Sequence, residues 1–236
     1  MELLDNIFIH TTAEDFGGNQ HSTESVRVGD GAIELVLVGR PYPAVGTYTS
    51  EVIHTQPFRN LVMSWNADTP AGTHIEVEAR VLLTGGIWSA WMSWGKWGRT
   101  IVSSMAHTSD DYVKVDTDTL IIKGTNEEAT AVQYRVQLHS QDPEVTPTVR
   151  LIAGSMRNDL PARQLVKLYD GSTLKSDLAV DLPVPQYSQY RRDPQVAHVI
   201  CSPTCLTMVM EYYGTSVLVE EVVRATWDNA YKGYGN

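Results

Sequence analysis

Ile75-Glu76-Val77-Glu78-Ala79-Arg80-Val81 and Val132-Gln133-Tyr134-Arg135-Val136-Gln137-Leu138 alternate apolar and polar residues without interruption. Side chains of an extended chain point to opposite faces in turn, so each stretch has one face suited to a core and one suited to water. The same grammar continues on either side. Strand-like runs occupy Ala32 to Val38, Tyr48 to Thr55, Leu61 to Trp65, Thr73 to Leu83, Thr119 to Lys123, Ala129 to Ser140 and Thr148 to Met156. Gly29-Asp30-Gly31, Thr69-Pro70-Ala71-Gly72 and Asp142-Pro143 are turn signals between runs, and helical periodicity is nearly absent from about Ile7 to Met156. Many short strands at near-regular spacing predict a mainly β fold, an antiparallel β-sandwich or jelly roll.

The chain has 236 residues, 42% of them apolar, enough for sizeable cores in one or two domains. A formal net charge of -10, without a basic run or basic amphipathic helix, argues against nucleic acid and against an anionic membrane surface as partners. No stretch has the length and apolarity of a membrane span, and Met1-Glu2-Leu3-Leu4-Asp5 does not open like a signal peptide. Cytoplasmic residence fits, as does secretion after removal of a leader. Cys201 and Cys205 are the only cysteines and make no disulfide framework, and His198 is not spaced to complete a zinc site with them. Asp116 and Asp118 read as the water face of a strand, without calcium-loop spacing. No metal and no cofactor is expected.

After Asn158 the grammar changes. A mixed stretch with prolines near its end leads to Ile200-Cys201-Ser202-Pro203-Thr204-Cys205-Leu206, where Ser202 reads as an N-cap and Pro203 as the first helical residue. Leu206, Val209, Met210 and Tyr213 follow at helical spacing, and Gly214 stops the helix. Cys205, one turn in, is expected to pack inward. A thiol at such an end faces unpaired N–H groups and the positive pole of the helix dipole, which favour the thiolate and make Cys201 a candidate nucleophile. A second helix is predicted from Leu218 to Trp227, with Glu220 and Glu221 in its first turn. Two helices cannot bury their apolar stripes alone and need further cover.

Several separated elements carry a resemblance in common. Pro183-Val184-Pro185-Gln186-Tyr187-Ser188-Gln189, then Cys201-Ser202-Pro203-Thr204, then Met208-Val209-Met210-Glu211-Tyr212-Tyr213-Gly214 resembles the start of the catalytic domain in bacteriocin-processing-type cysteine peptidases, the papain-like family 39 in its broad peptidase-like branch. The resemblance implies a bacterial papain-like α+β domain, a peptide or protein substrate, and Cys201 as nucleophile. It also implies that Gln189 joins the Cys201 backbone N–H in an oxyanion hole. Gln195, six residues before Cys201, is the competing glutamine, and the sequence leaves that choice open.

The family's general base is a downstream histidine oriented by Asp or Asn, yet His10, His21, His54, His74, His107, His139 and His198 all precede Cys201. The expectation is therefore a peptidase-like chain truncated on the base side and inactive alone. Residues 1–157 would form an accessory β-sandwich, 158–185 a linker and 186–236 the opening of the catalytic domain. A carbohydrate- or peptide-binding module and a catalytically silent relative are the alternatives.

Trp88, Trp91, Trp94 and Trp97, in Ile87-Trp88-Ser89-Ala90-Trp91-Met92-Ser93-Trp94-Gly95-Lys96-Trp97, recur at intervals of three and suit neither strand nor helix period. As one strand they place Trp88 and Trp94 on one face and Trp91 and Trp97 on the other, with at least one pair outside the core unless a bulge at Gly95 intervenes. Exposed, they would stack on cell-wall sugars or anchor peptides, while the plainer reading has them filling the core and a seam. Tyr212, Tyr213, Tyr231 and Tyr234 read as packing residues.

Overall fold

The structure, a computed structural model, describes residues 6–18, 20–36, 42–101, 108–124, 127–158, 181–229 and 233–234. The chain divides into two compact units, Met1–Asp159 and Leu160–Asn236. Among the described residues no helix is long and apolar enough to cross a membrane.

The first unit begins with β1 (Ile7–His10), a short helix α1 (Ala13–Gly18), β2 (Gln20–Glu24), β3 (Val26–Gly29), β4 (Ala32–Leu35), β5 (Val45–Ser50) and β6 (Ile53–Phe58). It continues with β7 (Asn60–Asp68), β8 (Thr73–Leu83), β9 (Met92–Trp97), β10 (Val113–Asp116), β11 (Thr119–Ile122), β12 (Ala129–Ser140) and β13 (Thr148–Arg157). Their described pairings are all antiparallel. One sheet runs β10-β11-β7-β13-β4-β3 with β1 also on β13, and the other runs β2-β5-β12-β8-β9 with β6 also on β12. The inward side chains of both sheets form one apolar cluster, so the unit is the expected antiparallel sandwich.

The two strands with the clearest alternation form its centre. β8 and β12 pair from Ala129↔Leu83 to Ser140↔Thr73, and the register puts Ile75, Val77, Ala79, Val81, Tyr134, Val136 and Leu138 inside at 0 to 1% exposure. A slip of one residue would bring Glu78 and Arg80 into the core instead, so burial specifies the register strongly.

Aromatic rings fill the middle of the cluster. Tyr134 stacks with Phe8 and Tyr48 at ring-centre separations of 5.6 and 5.9 Å, and Tyr48 meets Phe16 of α1 edge-on at 6.0 Å. Buried phenols need partners. His10 Nδ1 lies 2.7 Å from the Tyr134 hydroxyl, and the Tyr48 hydroxyl donates to the Phe16 carbonyl at 2.7 Å. Burial pushes the Tyr48 phenol up to about 12 and raises Tyr134 as well. Beside this group β1 crosses β13 with Phe8 opposite Gly154, where a Cβ on Gly154 would lie 2.3 Å from the Phe8 ring.

Some expected boundaries move. The run Tyr48 to Thr55 is two strands, β5 and β6, because β12 pairs with β5 along Arg135 to His139 and with β6 along Ala129 to Val132. The chain breaks at Glu51-Val52 to make that change. Asp116 closes β10, but Asp118 lies in the tight β10-β11 turn after Thr117, whose φ of 61° is left-handed, so the pair does not share a strand face. The end of the run Ala32 to Val38, and nearly all of the expected linker, lie outside the described residues.

On the outer face His74 and His139 form a cross-strand pair stacked 4.4 Å apart and nearly parallel. Each Nε2 is buried without a hydrogen-bond partner among the described residues. Burial holds both rings below the usual histidine range: for His74 the neighbouring His139 and Lys96 add to this while Glu76 opposes it, and for His139 Lys96 adds while Glu76 and Glu78 oppose. Burial lowers His10 too, against Asp15.

Groups that lose proton affinity on folding leave the unfolded chain binding more protons below about pH 6.5. Stability should therefore be complete above that value and fall as pH drops from it towards the lowered folded values. Thermal unfolding between pH 7.5 and 5 measures this, and His74→Gln with His139→Gln should flatten the slope. Gly154→Ala should cost about 1–3 kcal/mol by overpacking, and Phe8→Ala in the same chain should recover part of it in a double-mutant cycle.

Candidate active site and an aromatic platform

In the second unit the approach to Cys201 is built from short-range bonds. From Asp181 the chain reaches a 3-10 turn at Gln189–Arg191. Tyr187 ties the approach to the helix that follows, donating its N–H to Met208 Sδ at 3.1 Å and its hydroxyl to Glu211. The Glu211 bond raises the Tyr187 phenol above its usual value. Arg192 lies over the Tyr187 ring at 5.6 Å and pairs with Glu220 at 3.2 Å. Asp193 folds the next turn, its carboxylate accepting the Gln195 N–H and its carbonyl the N–H groups of Val196 and Ala197.

Helix α2 spans Cys201–Tyr212, two residues earlier than the Ser202 N-cap predicts. The N-cap is Ile200, whose buried side chain anchors the chain and whose carbonyl accepts both the N–H (3.1 Å) and the hydroxyl (2.6 Å) of Thr204. Cys201 is thus the first helical residue, in a turn whose N–H groups have no intrahelical acceptor. It is exposed. Cys205 is exposed as well, contrary to the expected inward packing.

The reason is the helix's orientation. The inward positions are Pro203, Thr204 and Thr207, the threonine hydroxyls being satisfied by the carbonyls of Ile200 and Pro203. The apolar stripe Leu206, Val209 and Tyr213 is left 43, 47 and 80% exposed. Tyr213 is therefore no packing residue within this unit as described, Tyr212 is half-buried, and Tyr231 and the Tyr234 side chain lie outside the described residues. Gly214, at φ +88°, ends α2 with its N–H on the Glu211 carbonyl. Helix α3 (Val219–Ala225) buries Val219 and Val222, and its start is closed by Glu221 accepting the Leu218 N–H at 3.0 Å. It stops short of Trp227 because β14 (Trp227–Asp228) pairs with β15 (Gly233–Tyr234).

The two candidate oxyanion glutamines differ. Gln189 is half-buried and donates from Nε2 to the Ala197 carbonyl at 2.7 Å, bracing the loop that ends at Ile200. Gln195 is exposed on the surface of that loop.

In the sandwich, the tryptophan run is not one strand. Pairing of β9 with β8 begins only at Met92, and Gly95, at φ +84°, kinks it where the register shifts between Glu76 and Glu78. Upstream, buried Ser89 donates its N–H to the Val81 carbonyl and accepts the Val81 N–H on Oγ, while Asp110 accepts the Ala90 N–H. Trp88 and Trp91 are thereby both carried over Arg80, whose guanidinium carbon lies 4.7 and 4.8 Å from their ring centres. Arg135 lies 4.5 Å from the Trp91 ring. Trp94 packs against the core with its indole N–H on the Asp118 carbonyl, and Trp97 is 39% exposed at the end of β9. The four therefore separate into an outer pair, a core residue and an edge residue, a division that strand period does not predict.

The chain thus carries a β-sandwich followed in sequence by a helix with an exposed cysteine at its head. Residues 11–156 match the family described as the peptidase C39 N-terminal domain, and residues 181–236 match the peptidase C39-like family. The chain belongs to the first of these families and is a C39 peptidase-like protein, as its C-terminal motifs imply. No curated protein matches it. A solved structure, described as showing the basis for promiscuous specificity of carbohydrate-binding modules of the β-sandwich superfamily, is similar at 12% identity and a TM-score of 0.29, over 68% of this chain and 59% of that one.

Replacing Glu211 with Gln should return the Tyr187 phenol towards its ordinary value by removing the carboxylate that holds its proton. Phenolate absorbance during alkaline titration, with Tyr187→Phe as the blank, measures the change.

Proposed function

We propose that this protein is a cysteine peptidase whose nucleophile is Cys201, acting on peptide or protein substrates. The observation that supports it is the exposed thiol on the first residue of α2, within a segment that matches the peptidase C39-like family. The thiolate attacks the scissile carbonyl carbon, and the C=O π electrons move to oxygen as a tetrahedral oxyanion. Collapse breaks the C–N bond, the amine leaves with a proton from the general acid, and water then hydrolyses the thioester.

Gln189 is the preferred oxyanion donor. Its side-chain amide has two N–H bonds, and one of them on the Ala197 carbonyl fixes the group while the other remains to meet substrate oxygen beside the Cys201 N–H. Gln195 has its backbone N–H on Asp193, with its side chain at the surface. The sequence after Cys201 contains no histidine, so the general base comes from outside residues 202–236. Without it, thiol alkylation survives while acyl transfer is crippled. A second reading, ligand binding by the sandwich, is favoured by the placement of Trp88 and Trp91 over Arg80 on the outer face.

Because Cys205 is also exposed, the test needs both single variants. A thiol-alkylating probe at neutral pH should label Cys205→Ala, which retains Cys201, several-fold faster than Cys201→Ala. If Cys201→Ala is labelled as fast as the parent, the nucleophile assignment is wrong.

A further inference from the structure

The outer face of β8 and β12 contains a guanidinium that the fold positions but does not neutralise. Arg135 is neutralised, with Glu78 accepting from its Nε and Nη2 and also from Gln137 Nε2 at 2.6 Å. Arg80, its diagonal neighbour, has no carboxylate partner among the described residues. Its Nε and Nη2 both donate to Gln133 Oε1, at 2.9 and 2.7 Å. Gln133 is 2% exposed and is fixed by donating from Nε2 to the Ser50 carbonyl at 2.7 Å. Nη1 has no partner among the described residues, so the Nη1/Nη2 edge, one of the two edges through which a guanidinium grips a carboxylate in two parallel bonds, is left open.

Two half-buried indoles lie against this guanidinium, so a ligand that reaches Arg80 also reaches Trp88 and Trp91. The backbone groups beneath are used in the β8-β12 ladder, so a peptide cannot bind here by adding a strand. Recognition has to come from side chains: indole rings for contact with a sugar ring and one guanidinium edge for a carboxylate. That combination matches a pyranose ring bearing a carboxylate.

We propose that the outer face of the six-stranded sheet binds an acidic, uronate-type sugar chain, with Arg80 holding the carboxylate and Trp88 and Trp91 contacting the ring. The site lies in the first unit and does not depend on the peptidase reading.

Tryptophan fluorescence of the full chain, titrated at low salt with trigalacturonic acid, its methyl ester and triglutamate, tests it. The acid should bind, and the ester should bind at least about 10-fold more weakly, as expected for loss of a charge-assisted bond pair. Arg80→Gln should weaken the acid to the level of the ester, Arg80→Lys should be intermediate, and Trp91→Ala should remove most of the signal and the affinity. Absence of binding by the acid, equal binding of acid and ester, or unchanged affinity in folded Arg80→Gln would overturn the proposal. Triglutamate binding as tightly as the sugar acid would overturn it in favour of an acidic peptide. Should Arg80→Gln fail to fold, the acid and ester titrations of the parent chain decide alone.

Discussion

The ladder between β8 and β12 is the constraint on which the sandwich depends. Its register sends Val77, Val136 and Tyr134 to one side and Glu78, Arg135 and Arg80 to the other, so a single set of backbone hydrogen bonds defines the core and the outer surface together. The inner side commits the second sheet, because Tyr134 engages Phe8 and His10 of β1 while stacking with Tyr48 of its own sheet. The outer side forms an ion pair and a guanidinium-amide clamp under Trp91. Neither face can change register without the other.

Much of this was legible in the chain. Thr73–Leu83 and Ala129–Ser140 coincide with their strands because alternation is a direct image of a sheet with one wet face. β1 escapes the same logic: Ile7 and Ile9 are its outward residues, at 45 and 58% exposure, so Ile7-Phe8-Ile9-His10 has no polar face to reveal it. The six-residue helix α1 is too short to show a period. The tryptophan run is legible in part: Gly95 marks the kink, but nothing in the run shows that strand begins only at Met92. Signals for Arg80 lay in residues distant in sequence, Gln133 and Ser50, which only the folded sheet brings together.

In the second unit, local motif outperformed periodicity. The motifs around Gln189 and Cys201 identified the family, and Gly214 marked the end of α2. Amphipathic reasoning, in contrast, would bury Leu206, Val209 and Tyr213, whereas Thr204 and Thr207 face inward. A threonine can do so because its hydroxyl returns to the helix's own carbonyls, which makes it an apolar residue in effect. Hydrophobicity scales do not register that cancellation.

The contact of Phe8 with Gly154 joins nearly the first strand of the sandwich to its last. Pairings so distant along the chain are slow to find, since the entropy of closing the loop is lost before any contact compensates it. During synthesis β1 emerges early and has no partner until residues 148–157 have left the ribosome. The β1-β13 pairing therefore closes late, after the strands between the two have been made.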